Sequence, residues 1–275
     1  MTDWAGWIGR ARSVSDTLAA PLVRRLAATL DAEAPDGAVP SHWLPALLFD
    51  DAQPTRALGP DGHPAKGEFL PPVPLPRRML AGRRVTFHAP ARIGQEFTRR
   101  STIERIEEKR GRSGRLMFVT LRHETTGPEG PAMTEIQDIV YREAGGGGAP
   151  RAPEPMPEPA WREARTPDPV LLFRYSAICF NGHRIHYDAD YARDAEGYPA
   201  LVANGGLSTL LLLEAAVRRS GRAIAGFAAR TLSPLFCGRP LALCGTVPES
   251  EGRALLWAAD DTEAVALRVE AAFAP

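Results

Sequence analysis

Residues Leu207 to Arg219 read as a helix that is apolar on almost every side, because Leu207, the run Leu210 to Leu213, Ala215, Ala216 and Val217 leave it no polar stripe. A helix that is apolar all round has to be buried all round. Its thirteen residues span roughly 20 Å at 1.5 Å per residue, too short to cross a bilayer. A chain can enclose such a helix by curling a sheet around it, so the remaining sequence has to supply strands. Asn204 fits the N-cap, Gly221 fits a left-handed stop, and Arg218 and Arg219 complement the negative end of the helix. Gly205 and Gly206 at its start leave backbone N–H groups unshielded, a place that attracts developing negative charge.

The strands are present, and they come in two sets. Pro21 to Leu30 reads as a first helix, with proline in its first turn. Asp51 to Pro76 is a Pro- and Gly-rich connection, of the length usually found in lids and binding loops. From Arg83 the apolar period becomes two, giving strands at Val85 to Phe87, Phe97 to Ile106, Leu116 to Glu124 and Glu135 to Arg142. Residues 145–160 form a Gly/Pro linker. After the apolar helix come strands near Ala223 to Leu232, Leu241 to Val247, Ala254 to Ala259 and Ala264 to Phe273. Pro90, Gly94 and Phe97 also lie over Pro234, Gly238 and Leu241 at matching spacing. The shared order of elements points to a duplicated helix-plus-sheet unit, with a first unit over 1–144 and a second over 161–275.

Lys plus Arg and Asp plus Glu number 33 each, so no global charge draws the chain to nucleic acid or to a membrane surface. No basic segment followed by an apolar core opens the sequence, so no secretory signal is read. Cys179, Cys237 and Cys244 lie in apolar runs without metal-ligand spacing, as expected of buried thiols in a reducing cytoplasm. His42, His63, His88 and His123 show no ligand spacing with one another. No metal or redox cofactor is expected.

The chemistry concentrates in one stretch. Asn181, His183 and His186 follow the apolar run Ala177 to Phe180, so a carboxamide and two imidazoles emerge where a buried element breaks. An imidazole titrating near neutrality suits proton transfer. An asparagine before a glycine also serves as an ordinary turn former.

These residues carry a resemblance. Phe173-Arg-Tyr-Ser-Ala, Phe180-Asn-Gly-His-Arg-Ile-His-Tyr-Asp188, Gly197-Tyr-Pro-Ala-Leu-Val202 and Asn204-Gly205 resemble the catalytic half of the mesaconyl-C4-CoA hydratases and the hydroxyacyl-thioester dehydratases of type 2. Both are families of MaoC-like, FAS1-type dehydratases. Gly62-His-Pro and the Pro-rich run Phe69 to Met79 resemble the same family's N-terminal segment. The resemblance implies an α+β tandem (double) hotdog, each half a long central helix wrapped by a curved antiparallel sheet. It further implies a degenerate first half that binds the substrate or its CoA tail and a catalytic second half.

The implied activity is reversible hydration of a 2-enoyl-CoA thioester, a hydro-lyase reaction in which the thioester is substrate and no cofactor is needed. Asn181, His186 and Gly205 would be catalytic: His186 as base toward water, Asn181 aiming that water, and the Gly205 N–H, aided by Gly206, polarising the thioester carbonyl. His183, Gly206, Arg174, Arg184, Tyr198 and Arg78 are the expected substrate-binding residues, with Arg77 and Lys66 as further candidates for a CoA phosphate. The broader (R)-specific enoyl-CoA hydratases carry Asp where this chain has Asn181, and relatives usually show His where it has Asn204. Thioester hydrolysis on the same fold and a non-catalytic acyl-binding or partner subunit stay open as other readings. Acyl-CoA or an acyl-carrier thioester would be the partner, and pairing into a homodimer is compatible with the sequence.

Overall fold

Ten antiparallel strands hydrogen-bond into one sheet in the computed structural model, which describes residues 4–48, 52–111, 114–143 and 156–275. The first half contributes β1 (Ala11–Thr17), β3 (Arg77–Phe87), β5 (Glu96–Gly111), β6 (Gly114–Gly127) and β7 (Gly130–Arg142). The second contributes β8 (Trp161–Arg165), β9 (Ile224–Thr231), β10 (Leu241–Gly245), β11 (Arg253–Ala259) and β12 (Val265–Phe273). A two-stranded ladder, β2 (Ala38–Val39) with β4 (Ala91–Arg92), stands apart. The order across the large sheet is β1-β5-β6-β7-β3-β9-β12-β11-β10-β8. In each half, therefore, the first strand is outermost, the second is innermost, and the other three fill the space between in chain order.

The innermost strands β3 and β9 join the halves, with Gly82 opposite Arg230 and Thr86 opposite Gly226. A Cβ on Gly82 would lie 2.9 Å from the Ala229 carbonyl oxygen, and one on Gly226 would lie 2.7 Å from that of Val85. The seam thus needs a glycine on each side. Gly82 and Gly226 are 144 residues apart, as are Gly94 and Gly238. Gly94 (φ 87°) and Gly238 (φ 76°) each turn the chain into a strand. Their N–H groups donate to Leu18 (2.9 Å) and Pro167 (2.7 Å), just past the first strand of their own half. The faint internal match in the sequence is therefore a structural repeat.

The long helix is α5 (Gly205–Ser220), capped by the Asn204 side chain on the Gly206 N–H and closed by left-handed Gly221. It lies against β9 to β12, with Leu207, Leu212, Leu213 and Ala215 at most 1% exposed. The halves differ in helix. A long central helix in each is the expectation from sequence; the first half has α1 (Ala20–Thr29) and a single turn, α2 (Leu44–Leu47), among the described residues.

The first half also lends a segment to its neighbour. His42 Nε2 donates to Glu214 of α5 at 2.7 Å, Trp43 Nε1 donates to the same carboxylate, and the Ser41 hydroxyl donates to the Ile224 carbonyl at 2.6 Å. This covers the side of α5 that its own sheet leaves open. Leu18, Val23 and Trp43 accordingly share one core with Leu172, Leu207 and Leu256 from the second half.

Two further helices of the second half, α3 (Pro169–Ile178) and α4 (Ala189–Asp194), flank the loop bearing the imidazoles. Most of the linker expected at 145–160 lies outside the described residues. Cys244 is buried, whereas Cys179 and Cys237 are half-buried, and none of the three is joined in a disulfide. No helix is long and apolar enough to cross a membrane among the described residues.

Candidate active site

Asp168 caps α3 through the Leu171 N–H at 2.7 Å, and Pro169 occupies the first turn. The helix ends at Phe180, left-handed at φ 48°, with the Asn181 N–H returning to the Ser176 carbonyl at 2.8 Å. A left-handed residue with a Cβ costs about 1–2 kcal/mol, so the surroundings must hold this turn in place. The Asn181 side-chain Oδ1 accepts from the His183 N–H at 2.9 Å, closing an Asx turn. Arg184 then donates to Asp188 at 2.7 and 3.0 Å and stacks on Tyr191 with its Cζ 4.1 Å from the ring centroid. The loop from 181 to 188 is thereby fixed at both ends, and the directions of His183 and His186 with it.

His186 is buried (7% exposed), and its Nδ1 donates to the Val202 carbonyl at 2.7 Å. That bond sets the tautomer: Nδ1 carries the proton and Nε2 keeps its lone pair. Burial pushes the imidazole down to about 4 from an ordinary 6.5, against the opposing pull of the Val202 carbonyl. The ring is neutral at pH 7. Val202 is also three residues before Gly205, so the bond that orients the ring ties it to the start of α5.

At that start the two glycines differ. The Gly206 N–H is held by the Asn204 side chain at 2.8 Å, which answers the expectation that Gly206 aids carbonyl polarisation: its donor serves the cap. A Cβ on Gly206 would run into the Tyr175 hydroxyl, so this glycine lets α3 and α5 approach. A Cβ on Gly205 would find only Thr231 Oγ1, at 3.8 Å. The first amide of the helix is the one left to face a ligand.

The first half enters the same site through a loop tip. Leu58 bridges Pro64, the Gly59 N–H donates to His63 at 2.7 Å, and Gly62 turns the chain at φ 82°. A Cβ on Gly62 would collide with the Gly182 carbonyl, so the tip lies directly on the loop bearing the imidazoles. The Arg184 N–H and guanidinium bind the Asp61 and Pro60 carbonyls at 2.9 and 3.0 Å.

The His63 ring lies 4.0 Å from that of His183, centroid to centroid, and His183 meets His186 edge-on at 5.3 Å. Burial, with help from the neighbouring His63, depresses His183 to about 2. Asp61 Oδ2 is 3.1 Å from His63 Nδ1. Burial alone would raise the Asp61 carboxyl; hydrogen bonding and charge from His63 outweigh it and hold the group well below the usual range.

No spacing in the sequence gives His63 a role, because the imidazole it meets, His183, lies more than a hundred residues away. One ligand atom each from Asp61, His63 and His183 falls within 4.8 Å of the others, the reach of a single divalent cation. Within that group His63 Nδ1 faces the Asp61 carboxylate, and the His63 and His183 rings are tilted 39° to one another.

All of these groups open on a cavity of about 1120 Å³ walled by both halves. Of the residues expected to act or bind, Asn181, His183, His186, Gly205, Gly206, Tyr198 and Arg78 line it. Arg174 and Arg184 do not: Arg174 is exposed on α3, and Arg184 is engaged with Asp188 and Pro60. Lys66 donates to the Val73 and Leu75 carbonyls, both at 2.8 Å, and so clamps the Pro-rich run. Arg77 reaches Glu196. Glu214 is saturated by His42 and Trp43, away from the cavity wall.

Comparison with known proteins gives the family and the fold. The family of hydroxyacyl-thioester dehydratase type 2 matches residues 42–237. The mesaconyl-C(4)-CoA hydratase of Chloroflexus aurantiacus is 45% identical over 254 residues, 88% of each chain. The crystal structure of HtdX of Mycobacterium tuberculosis superposes with a TM-score of 0.70 at 17% identity, covering 96% of this chain and 100% of that one. A second Mycobacterium tuberculosis structure, described as a double hotdog, gives 0.58 at 14% identity over 97% and 96%. The fold is thus a double hotdog, and by its sequence the chain belongs to the hydroxyacyl-thioester dehydratase type 2 family.

Proposed function

We propose that this chain catalyses the reversible addition of water to a 2-enoyl-CoA thioester, and that its acyl group is a short branched dicarboxylic one of the mesaconyl-C4 type. The observation that carries the reading is the neutral, buried His186, its Nε2 left basic by the bond from Nδ1 to Val202, in the same cavity wall as the Gly205 N–H.

In the hydration direction His186 Nε2 takes a proton from water as the oxygen bonds to C3. The C2–C3 π pair moves toward the thioester, and charge grows on its carbonyl oxygen. A preorganised N–H at the first turn of α5 stabilises that charge more than the ground state. The Asn181 amide nitrogen, with its oxygen held by the turn, remains to donate to the water or the new hydroxyl. The chemistry draws on side chains and backbone alone.

Two features support the dicarboxylic substrate: the mesaconyl-C(4)-CoA hydratase of Chloroflexus aurantiacus is 45% identical to this chain over 254 residues, and Arg78 lines the cavity wall. The wall contributed by β3 and the 52–76 loop supports assigning the acyl-CoA contact partly to the first half. The test is a panel of enoyl-CoAs, mesaconyl-C4-CoA and crotonyl-CoA among them, analysed by mass spectrometry for the gain of one water. Water gained on the branched dicarboxylic thioester supports the reading; free thiol in place of hydrated product, or binding without turnover, refutes it.

A further inference from the structure

We propose that Asp61 and His63, supplied by the first half, form the general acid of this site: His63 delivers the proton to C2 of the acyl chain while His186 acts on the water at C3. The inference rests on the hydratase reading and adds to it the origin of the second proton.

Hydration needs two proton transfers at different carbons, one away from water and one onto C2. The loop bearing His186 has a second imidazole, His183, but burial and its charged neighbours keep that ring neutral. His63 is the imidazole in this cluster with a carboxylate on it, Asp61 Oδ2 at 3.1 Å from Nδ1. An ionised carboxylate in hydrogen-bond reach favours the charged, proton-donating form of an imidazole and fixes its orientation. Two titratable groups of one kind whose surroundings push them apart make an acid and base pair. Here His186 is held neutral by burial, and His63 faces an anion.

The placement is built into the backbone. Gly62 and Gly182 are in a contact that leaves no room for a Cβ on Gly62, and two hydrogen bonds from Arg184 fasten the Asp61 and Pro60 carbonyls. Tip and loop are therefore one unit, although they come from different halves. His183 stands between the two working rings, at 4.0 Å from one and 5.3 Å from the other. A neutral ring there separates the charge on His63 from the charge that forms on His186.

Water oxygen bonds to C3 and its proton goes to His186 Nε2. The enolate collapses onto C2 with the proton of His63 Nε2, and the thioester carbonyl re-forms. The enzyme is left with a protonated His186 and a neutral His63, and return of one proton through solvent restores the start. Among the described residues, the charged and titratable groups facing the pair include Arg78 on β3, Tyr141 on β7, Lys66, Tyr191 and Glu196 around Asp61, and His183 and His186 on the opposed loop.

The experiment uses the full chain, wild type, His63→Gln and Asp61→Asn, with the enoyl-CoA that the panel identifies, in H2O and D2O. The expected result for His63→Gln is a fall in kcat of about 10²- to 10⁴-fold, little change in KM, and slowed exchange of the C2 proton of the 3-hydroxyacyl product with solvent deuterium. Asp61→Asn, a positioning change of nearly equal size, is expected to lower kcat less and to move the alkaline limb of the pH profile to lower pH, because the imidazolium loses its counter-charge. Wild-type kcat and C2 exchange in His63→Gln overturn the proposal and leave the hydratase reading standing. A wild type that hydrates none of the panel overturns both. Zinc retained by the wild type but not by His63→Gln, together with activity lost to a chelator, also overturns it and makes the cluster a metal site.

Discussion

Lowering the pH should unfold this protein through its buried histidines before its carboxylates are protonated. His186 sits at about 4 in the folded chain against 6.5 when exposed, so between those values the unfolded state binds the extra proton. Its contribution is fully present above pH 6.5 and is lost as pH falls toward 4. At 1.36 kcal/mol per pH unit, the loss at this one site is about 2 kcal/mol by pH 5 and about 3 kcal/mol by pH 4. His123, buried against Ser101 at 2.7 Å and likewise held at about 4, loses stability over the same window. Depressed carboxyls such as Glu135, Glu214 and Asp61 lose stability only as pH falls toward their ordinary values of 4.5 and 3.8, so at pH 5 the loss is mainly that of the histidines.

The measurement is urea unfolding at pH 7 and pH 5 for the wild type and His186→Gln. The variant should show an acid-side loss smaller by about 2 kcal/mol. An identical loss in the two proteins would show that His186 is not buried neutral, and the mechanism built on its free Nε2 would fall with it.

Other expected outcomes follow from single contacts. Gly206→Ala drives a methyl into the Tyr175 hydroxyl and should cost about 1–3 kcal/mol in thermal melts, whereas Gly205→Ala meets only ordinary contact with Thr231 Oγ1 and should melt with the wild type. Trp43→Ala removes a side chain 1% exposed from between the halves and should cost about 3–5 kcal/mol, measured by chemical unfolding. Glu214→Ala strands the His42 and Trp43 donors and should cost about 1–3 kcal/mol for each; Glu214→Gln, which still accepts, should cost less. Arg78→Gln should raise KM for a dicarboxylic enoyl-CoA more than for crotonyl-CoA in steady-state assays; equal effects would remove Arg78 from carboxylate recognition.

The elements that could be read from the sequence are those whose own side chains carry the pattern. The all-round apolarity of Leu207 to Val217, with Asn204 and Gly221 at its ends, fixes α5 and its caps, and period-two alternation marks the interiors of β5, β6 and β7. What escaped are the sheet edges. Ala-Arg-Ser-Val-Ser-Asp-Thr of β1 and Trp-Arg-Glu-Ala-Arg of β8 each pair on one side only, bury no residue fully and show no apolar stripe.

The same limit applies within the site. Asn181, His183 and His186 are neighbours in sequence, so their clustering was visible. His63 meets His183 only because Gly62 lies against Gly182, a contact between backbones that leaves no mark in composition or spacing. Arg184 stands beside His183 in sequence, and Asp188 four residues on turns it away from the cavity.

The most direct test of the account follows the enoyl-thioester absorbance of the identified substrate with wild type and His186→Ala, each checked for an unchanged fold by circular dichroism. The wild type should consume the double bond with water gained and the thioester intact, and the variant should be slower by about 10²- to 10⁴-fold. Turnover by His186→Ala at the wild-type rate would contradict the claim that this one imidazole moves the proton of water.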